Sequence, residues 1–218
     1  MDSQSPQKGE FKKFKKECLN DDGWDLVHSH KSCIVYTKKV ENYSYNAIKV
    51  KSQYPDIDPE TLYNVLHDHD YRKVWDKNMI EGKVIEMLQD DVEIGYYLVR
   101  LGYGISNRDF CNMRTWRVKD NEWIIFNRSV ISEKCPEVKG CVRGQSIKSG
   151  YYIKKLEEGT EFIYYSHCDP KGWLPVYIVN WIMDKLAPNM IKTLHKVTLE
   201  YPEWLESKKN DDVQKEEI

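Results

Sequence analysis

The 218-residue sequence predicts an α+β fold: a curved antiparallel sheet of about nine strands with a long helix across its mouth. Three observations carry this. Strand signal is nearly continuous from Gly82 to Tyr165, broken only by short polar turns. Three more strand-like runs precede two short helices. The last long element, about Val176 to Leu199, repeats apolar residues at helical spacing.

Residues 1–8 are expected to be disordered, as is the tail 206–218, which has almost nothing apolar to bury. One domain is left over 9–205. At its start, Phe11, Phe14 and Cys18 recur at three- and four-residue steps among Lys12, Lys13, Lys15 and Lys16. That predicts an amphipathic basic helix over Glu10–Asn20, docked on its own domain with the lysines in water. Contact with an anionic membrane surface is the alternative.

Asp22-Gly23 ends this helix, and strands are expected at Trp24–His30, Cys33–Lys39 and about Tyr43–Tyr54. Pro55-Asp-Ile-Asp-Pro59 stops the sheet. Asp58 suits an N-cap and Pro59 the first helical position, with Leu62, Val65 and Leu66 as the buried stripe. His67-Asp-His-Asp70 then interrupts the chain. Its alternating residues read as caps and solvated groups rather than metal ligands, since no third ligand pattern accompanies them.

Asp70-Tyr-Arg-Lys-Val-Trp-Asp76 reads as a second short helix. It sets Arg72 and Asp76 four residues apart on one face, and Tyr71 and Trp75 likewise. Taken alone, the charged pair is an ordinary surface ion pair. The alternative is an arginine facing inward, held by Asp76 until an anionic group arrives.

Further strands are expected at Lys83–Leu88, Val92–Leu101, Phe110–Lys119, Trp123–Ile131, Val142–Lys155 and Phe162–His167. Asp120-Asn121 marks a tight turn, and Glu157-Glu-Gly159 another break. Leu101-Gly-Tyr-Gly-Ile-Ser-Asn107 is glycine-punctuated and partly apolar, suited to a mobile flap. Ser132–Gly140 is a longer polar loop. On the last helix, Val179, Ile182, Met183, Leu186, Met190, Leu194 and Val197 share one face, and Pro188 falls in the interior, where a kink is expected.

A formal charge of −2 gives no global pull toward nucleic acid, and none is expected as a partner. No apolar run reaches the roughly 18 residues of a membrane span. The N-terminus lacks a secretion-signal pattern and the six cysteines are scattered, so reduced thiols in an intracellular protein are expected. There is no nucleophile elbow, no P-loop and only part of a dinucleotide fingerprint at Gly102-x-Gly104. The reading is a binding protein without catalytic residues, metal or cofactor. Fifteen Tyr and seven Trp against five Phe suit a wet-lined pocket. A curved sheet gripped by an apolar helix encloses a cavity suited to small or lipidic ligands.

Tyr71-Arg-Lys-x-Trp-Asp76, Ser106-Asn-Arg-Asp109, Asp169-Pro-Lys-Gly172, Leu174-Pro175, Val179-Asn-Trp181 and Tyr201-Pro-Glu-Trp204 occur in family order. On these residues the chain resembles the START (StAR-related lipid-transfer) domain, in the subgroup around phosphatidylcholine-transfer protein, over roughly residues 10 to 205. The resemblance implies a helix-grip fold holding one phospholipid in a tunnel, with no chemical step. It implies that Arg72 meets the lipid phosphate and Asp76 holds it, with Tyr97, Phe110, Ile147 and Ser149 around the headgroup. Ile147 stands where the choline-binding relative has a ring and Ser149 where it has glutamine, which leaves choline and ethanolamine both open.

The resemblance also implies a gate and membrane contact at Leu101, Tyr103, Ile105, Trp173, Tyr177 and Trp181, and a tunnel lined by Val179, Ile182, Met183, Leu186 and Met190. The expected protein is a cytoplasmic monomer, transiently docked on membranes, that carries phosphatidylcholine or phosphatidylethanolamine. A lipid-responsive regulatory module is the alternative, or a carrier of sterol or ceramide. Neither of those two ligands would offer Arg72 a phosphate.

Overall fold

The computed structural model describes residues 8–30, 33–102, 104–174 and 187–216. In chain order the elements are α1 (Lys8–Leu19), β1 (Asp25–His30), β2 (Cys33–Lys38), β3 (Ala47–Tyr54), α2 (Pro59–His67), α3 (His69–Trp75), β4 (Met79–Gln89) and β5 (Val92–Val99). They continue with β6 (Arg108–Lys119), β7 (Glu122–Ser129), β8 (Val142–Arg143), β9 (Gln145–Lys155), β10 (Thr160–Asp169) and α4 (Ala187–Glu216). The strands form one sheet ordered β1-β2-β3-β10-β9-β7-β6-β5-β4, antiparallel throughout, with β8 pairing in parallel beside β6.

Helices cover both faces of the sheet. On one, Phe11, Phe14 and Cys18 of α1 are buried against Ile124, Phe126, Tyr152, Ile163 and Tyr165. The lysines between them face outward, as a docked amphipathic helix requires. Lys49, fully buried on β3, donates to the carbonyls of Glu17 and Asn20 and pairs with Asp21, so a sheet lysine closes the C-terminal end of α1. On the other face, Leu62 and Leu66 of α2 and Ala187, Ile191 and Leu194 of α4 pack on Val35, Val50, Ile125, Ile153 and Phe162.

Turn chemistry fixes the hairpins. Asp120 and Asn121 both have positive φ, 55° and 59°, the mirror-image turn that matches strand twist. Gly159 has φ 73°, and a Cβ there would lie 2.0 Å from the Tyr54 carbonyl oxygen, so only glycine closes that hairpin.

The structure departs from the sequence expectation in several places. The run expected as one strand over Val142–Lys155 is two, making ten strands among the described residues. The break is at Gly144, where the Phe110 ring occupies the space of a Cβ, 2.5 Å from its ideal position. Strand β4 begins at Met79 rather than Lys83, pairing Met79 with Val99.

Helix α4 runs past Leu199 to Glu216, through Pro202 and into the stretch expected to be disordered. Pro202 removes one hydrogen bond to the preceding turn, but the turn is held from outside by Tyr201 and Trp204, whose rings lie 4.8 and 4.7 Å from that of Tyr71. Lys208 then pairs with Asp70 at 2.9 Å and lies over the Trp204 ring, continuing the anchorage. Pro188 is the second residue of the described helix, and the kink expected around it falls at the edge of residues 175–186, which lie outside the described residues. Among the described residues no helix is long and apolar enough to cross a membrane.

Candidate ligand-binding site

The aim of Arg72 is set by Asp68. The Asp68 backbone N–H ends α2 on the Asn64 carbonyl, and its side chain starts α3 by accepting from the N–H groups of Asp70 and Tyr71 at 2.9 Å. Its second oxygen accepts from the Tyr201 hydroxyl at 3.0 Å. The Tyr71 hydroxyl donates to the Val197 carbonyl at 2.8 Å. Helix α3 is therefore fixed against α4 on one face and presents Arg72 on another.

Arg72 Nε donates to Asp76 Oδ2 at 3.2 Å, and the Tyr97 hydroxyl donates to the same oxygen at 2.9 Å. The guanidinium lies 4.9 Å from the centre of the Tyr97 ring and 5.7 Å from that of Trp75. Burial opposes the Arg72 charge, but Tyr151, Tyr97 and Asp76 outweigh it and hold its pKa above the ordinary arginine value. Burial also raises the Tyr97 pKa, which keeps that hydroxyl a donor. The pair is thus no solvent-exposed i,i+4 contact. Among the described residues the two terminal nitrogens of Arg72 make no hydrogen bond.

Arg72 lines a cavity of about 200 Å³, together with Tyr97, Phe110, Ser149, Tyr151 and Tyr164. Asp76 stands behind Arg72 and touches both it and Tyr97. Ile147 is not part of this wall. It falls in a β-bulge where Lys148 and Ser146 pair with His167 and Cys168 in succession, so Ile147 has no partner and Ser146 lines the cavity. Leu101 and Ile105 are half-buried in the β5–β6 loop, and Trp173 is 78% exposed. Met190 packs against the core cluster of α2 and α4. Tyr103, Tyr177, Val179, Trp181, Ile182, Met183 and Leu186 lie outside the described residues.

A second polar group at the cavity was not anticipated. Arg114 Nη1 donates to Glu93 Oε1 at 3.1 Å and Nη2 to the Leu66 carbonyl at 3.0 Å, while His69 Nε2 is 3.0 Å from Glu93 Oε1. Burial works to raise the Glu93 pKa, but hydrogen bonds and charge from His69 and Arg114 hold it below the ordinary value. Burial lowers that of Arg114. Alternation on β6 was the available signal: Phe110, Asn112 and Arg114 share one strand face, so a headgroup residue at 110 brings the polar residues with it. Within the His67–Asp70 stretch Asp68 is indeed the cap. His67 instead packs on Tyr63 and edge-on to Trp116, and burial lowers its pKa to about 4. Among the described residues no group of three or more His, Cys, Asp or Glu is arranged to hold a metal ion.

The START domain family model matches residues 8–204. "START domain-containing protein 10" of Homo sapiens is 38% identical over 203 residues, covering 92% of this chain and 70% of the relative. "Phosphatidylcholine transfer protein" of Mus musculus is 25% identical over 193 residues, covering 86% and 89%. The crystal structure of human STARD10 superposes with a TM-score of 0.88 at 37% identity, covering 94% of this chain and 84% of that one. Human StAR-related lipid transfer protein 5, at 18% identity, shares the fold with a TM-score of 0.81, covering 88% and 94%. The sheet with its C-terminal helix is the helix-grip arrangement, and the chain belongs to the START domain family.

Proposed function

We propose that this protein binds one glycerophospholipid and carries it between membranes, with no chemical step. The observation that carries the reading is Arg72. It is a guanidinium held in place by Asp76 through Nε, with both terminal nitrogens unbonded among the described residues, on the wall of a cavity. That free edge matches a phosphate, which accepts two parallel hydrogen bonds. A cavity of about 200 Å³ has room for a phosphate and its headgroup. The relative named for phosphatidylcholine transfer supports the ligand class.

For the headgroup, the occupied face of Tyr97 matters. A quaternary ammonium needs open ring faces, and here Arg72 already lies over that ring. Asn112, Asn127, Ser146 and Ser149 supply hydrogen-bond acceptors on the cavity wall, which favour a primary ammonium. Ethanolamine is therefore accepted at least as well as choline. Exposed Trp173 supplies a membrane contact, consistent with a cytoplasmic carrier that docks transiently as a monomer.

Transfer between liposomes tests the reading. Arg72→Leu should lower phospholipid exchange by about tenfold or more, as expected for a lost charge-assisted contact, with the fold intact by circular dichroism. Unchanged exchange, or a phosphate-free ligand in native mass spectrometry of the purified protein, would refute it.

A further inference from the structure

Arg108 is among the most deeply buried large side chains of the protein, 2% exposed, and among the described residues no carboxylate pairs with it. The adjacent Asp109 is taken by Arg143, through bonds of 3.1 and 2.9 Å. Four backbone carbonyls from two different loops surround the Arg108 guanidinium instead. Nη1 donates to Ser106, Nε to Pro170 at 3.0 Å, and Nη2 to Lys171 at 3.0 Å and Trp173 at 3.2 Å. A planar fork of five N–H donors can bridge acceptors this way, whereas a lysine ammonium cannot.

The second loop is shaped to supply its three carbonyls. Lys171 and Gly172 are consecutive left-handed residues, φ 51° and 62°, and the Asp169 side chain accepts from the Lys171 N–H at 2.9 Å. The same loop carries Trp173, 78% exposed. The first loop belongs to the segment Leu101–Asn107 that precedes β6. Arg108 opens β6, and the next residues on its face, Phe110 and Asn112, line the cavity. One buried cation thus joins an exposed tryptophan loop, the β5–β6 loop and the strand that forms the cavity wall.

We propose that Arg108 is a positioning residue for lipid exchange: it pins the β5–β6 loop to the Trp173 loop in solution, and the two part when Trp173 enters a bilayer. The proposal rests on the lipid-carrier reading for its membrane step, and on the four carbonyl bonds alone for its closed state. Backbone carbonyls suit a joint that must open, because on release they rehydrate readily and strand no buried carboxylate.

Hydrogen–deuterium exchange on the full chain tests this. In wild type, peptides covering 104–107 and 170–174 should be protected in solution and should both exchange about tenfold faster once phosphatidylcholine vesicles are added. In Arg108→Lys both should exchange about tenfold faster without vesicles, while β9 and β10 peptides stay unchanged. Trp173→Ala leaves the carbonyl bonds in place, so its loops should stay protected even with vesicles. Arg72→Leu should keep wild-type loop protection in solution, which separates failure of the phosphate reading from failure of this one. Unchanged loops in Arg108→Lys, loosening of only one loop, or wild-type loops that stay protected on vesicles would each overturn the proposal. Should Arg108→Lys fail to fold, Arg108→Gln, which keeps a donor amide, replaces it under the same criteria.

Discussion

The Arg72 guanidinium and the Tyr97 ring face each other at 4.9 Å, and the same tyrosine donates to the carboxylate that holds the arginine. Tyr97 is therefore part of the arginine's seat before it is part of any headgroup cage. Tyr97→Phe should keep the ring face and lose the hydrogen bond to Asp76, lowering stability by about 1.5–3 kcal/mol for a charged partner. The ratio of ethanolamine to choline lipid transferred should stay at its wild-type value. Ile147→Tyr should not raise choline preference either, because the bulge removes position 147 from the cavity wall. Paired liposome assays with the two lipids check both outcomes.

Gly144 bears on the cavity through Phe110. An added Cβ would lie 2.5 Å from the ring, and the ring has the cavity as its free side. Gly144→Ala should cost about 1–3 kcal/mol, as overpacking does, and turn the ring into the headgroup space. Urea denaturation should show the modest stability loss, and native mass spectrometry a larger loss of bound lipid.

His67 gives the stability a pH dependence. Its folded pKa of about 4 lies below the ordinary histidine value of 6.5, because burial penalises the imidazolium. Between those values the unfolded chain binds the proton and the folded one does not. The contribution is therefore full above pH 6.5 and is lost as pH falls toward 4. Among the described residues its Nδ1 has no hydrogen-bond partner, so His67→Phe keeps the packing on Tyr63 and Trp116 at little polar cost. That variant should show a flatter stability curve over this window by denaturant titration. The depressed Glu93 pKa acts below the ordinary glutamate value of 4.5, outside most of that range.

Tyr71 joins α3 to α4 through its hydroxyl. Tyr71→Phe leaves the ring stack with Tyr201 and Trp204 but removes the hydroxyl's bond to the Val197 carbonyl. The expected cost is about 1 kcal/mol, read as a fall of roughly 2–4 °C in thermal melting for a chain of this size.

Local signals in the chain were reliable where one residue decides one geometry. Asp58-Pro59 starts α2, Asp120-Asn121 turns a hairpin, and the Phe11–Phe14–Cys18 stripe docks α1. Arg72 and Asp76 were visible as a pair at helical spacing, but their inward placement depends on Asp68, Tyr97 and α4, which no local pattern joins to them. Glu93, Arg114 and His69 meet only because three separate elements converge. The resemblance puts Ile147 beside the headgroup, but a bulge in β9 shifts the register by one and Ser146 lines the cavity there. Helix α4 continues past its expected end at Leu199 because the ring contacts of Tyr201 and Trp204 to α3 hold the turn that contains Pro202.

Asp68 closes one helix, opens the next and receives the Tyr201 hydroxyl from the last. Three elements thus share a single joint, and the bearing of Arg72 is not an independent coordinate of the molecule. Any rotation or sliding of the terminal helix turns the arginine with it. On the proposed phospholipid reading, seating of that helix and grip on the phosphate are one degree of freedom, so displacing the helix should loosen the anion.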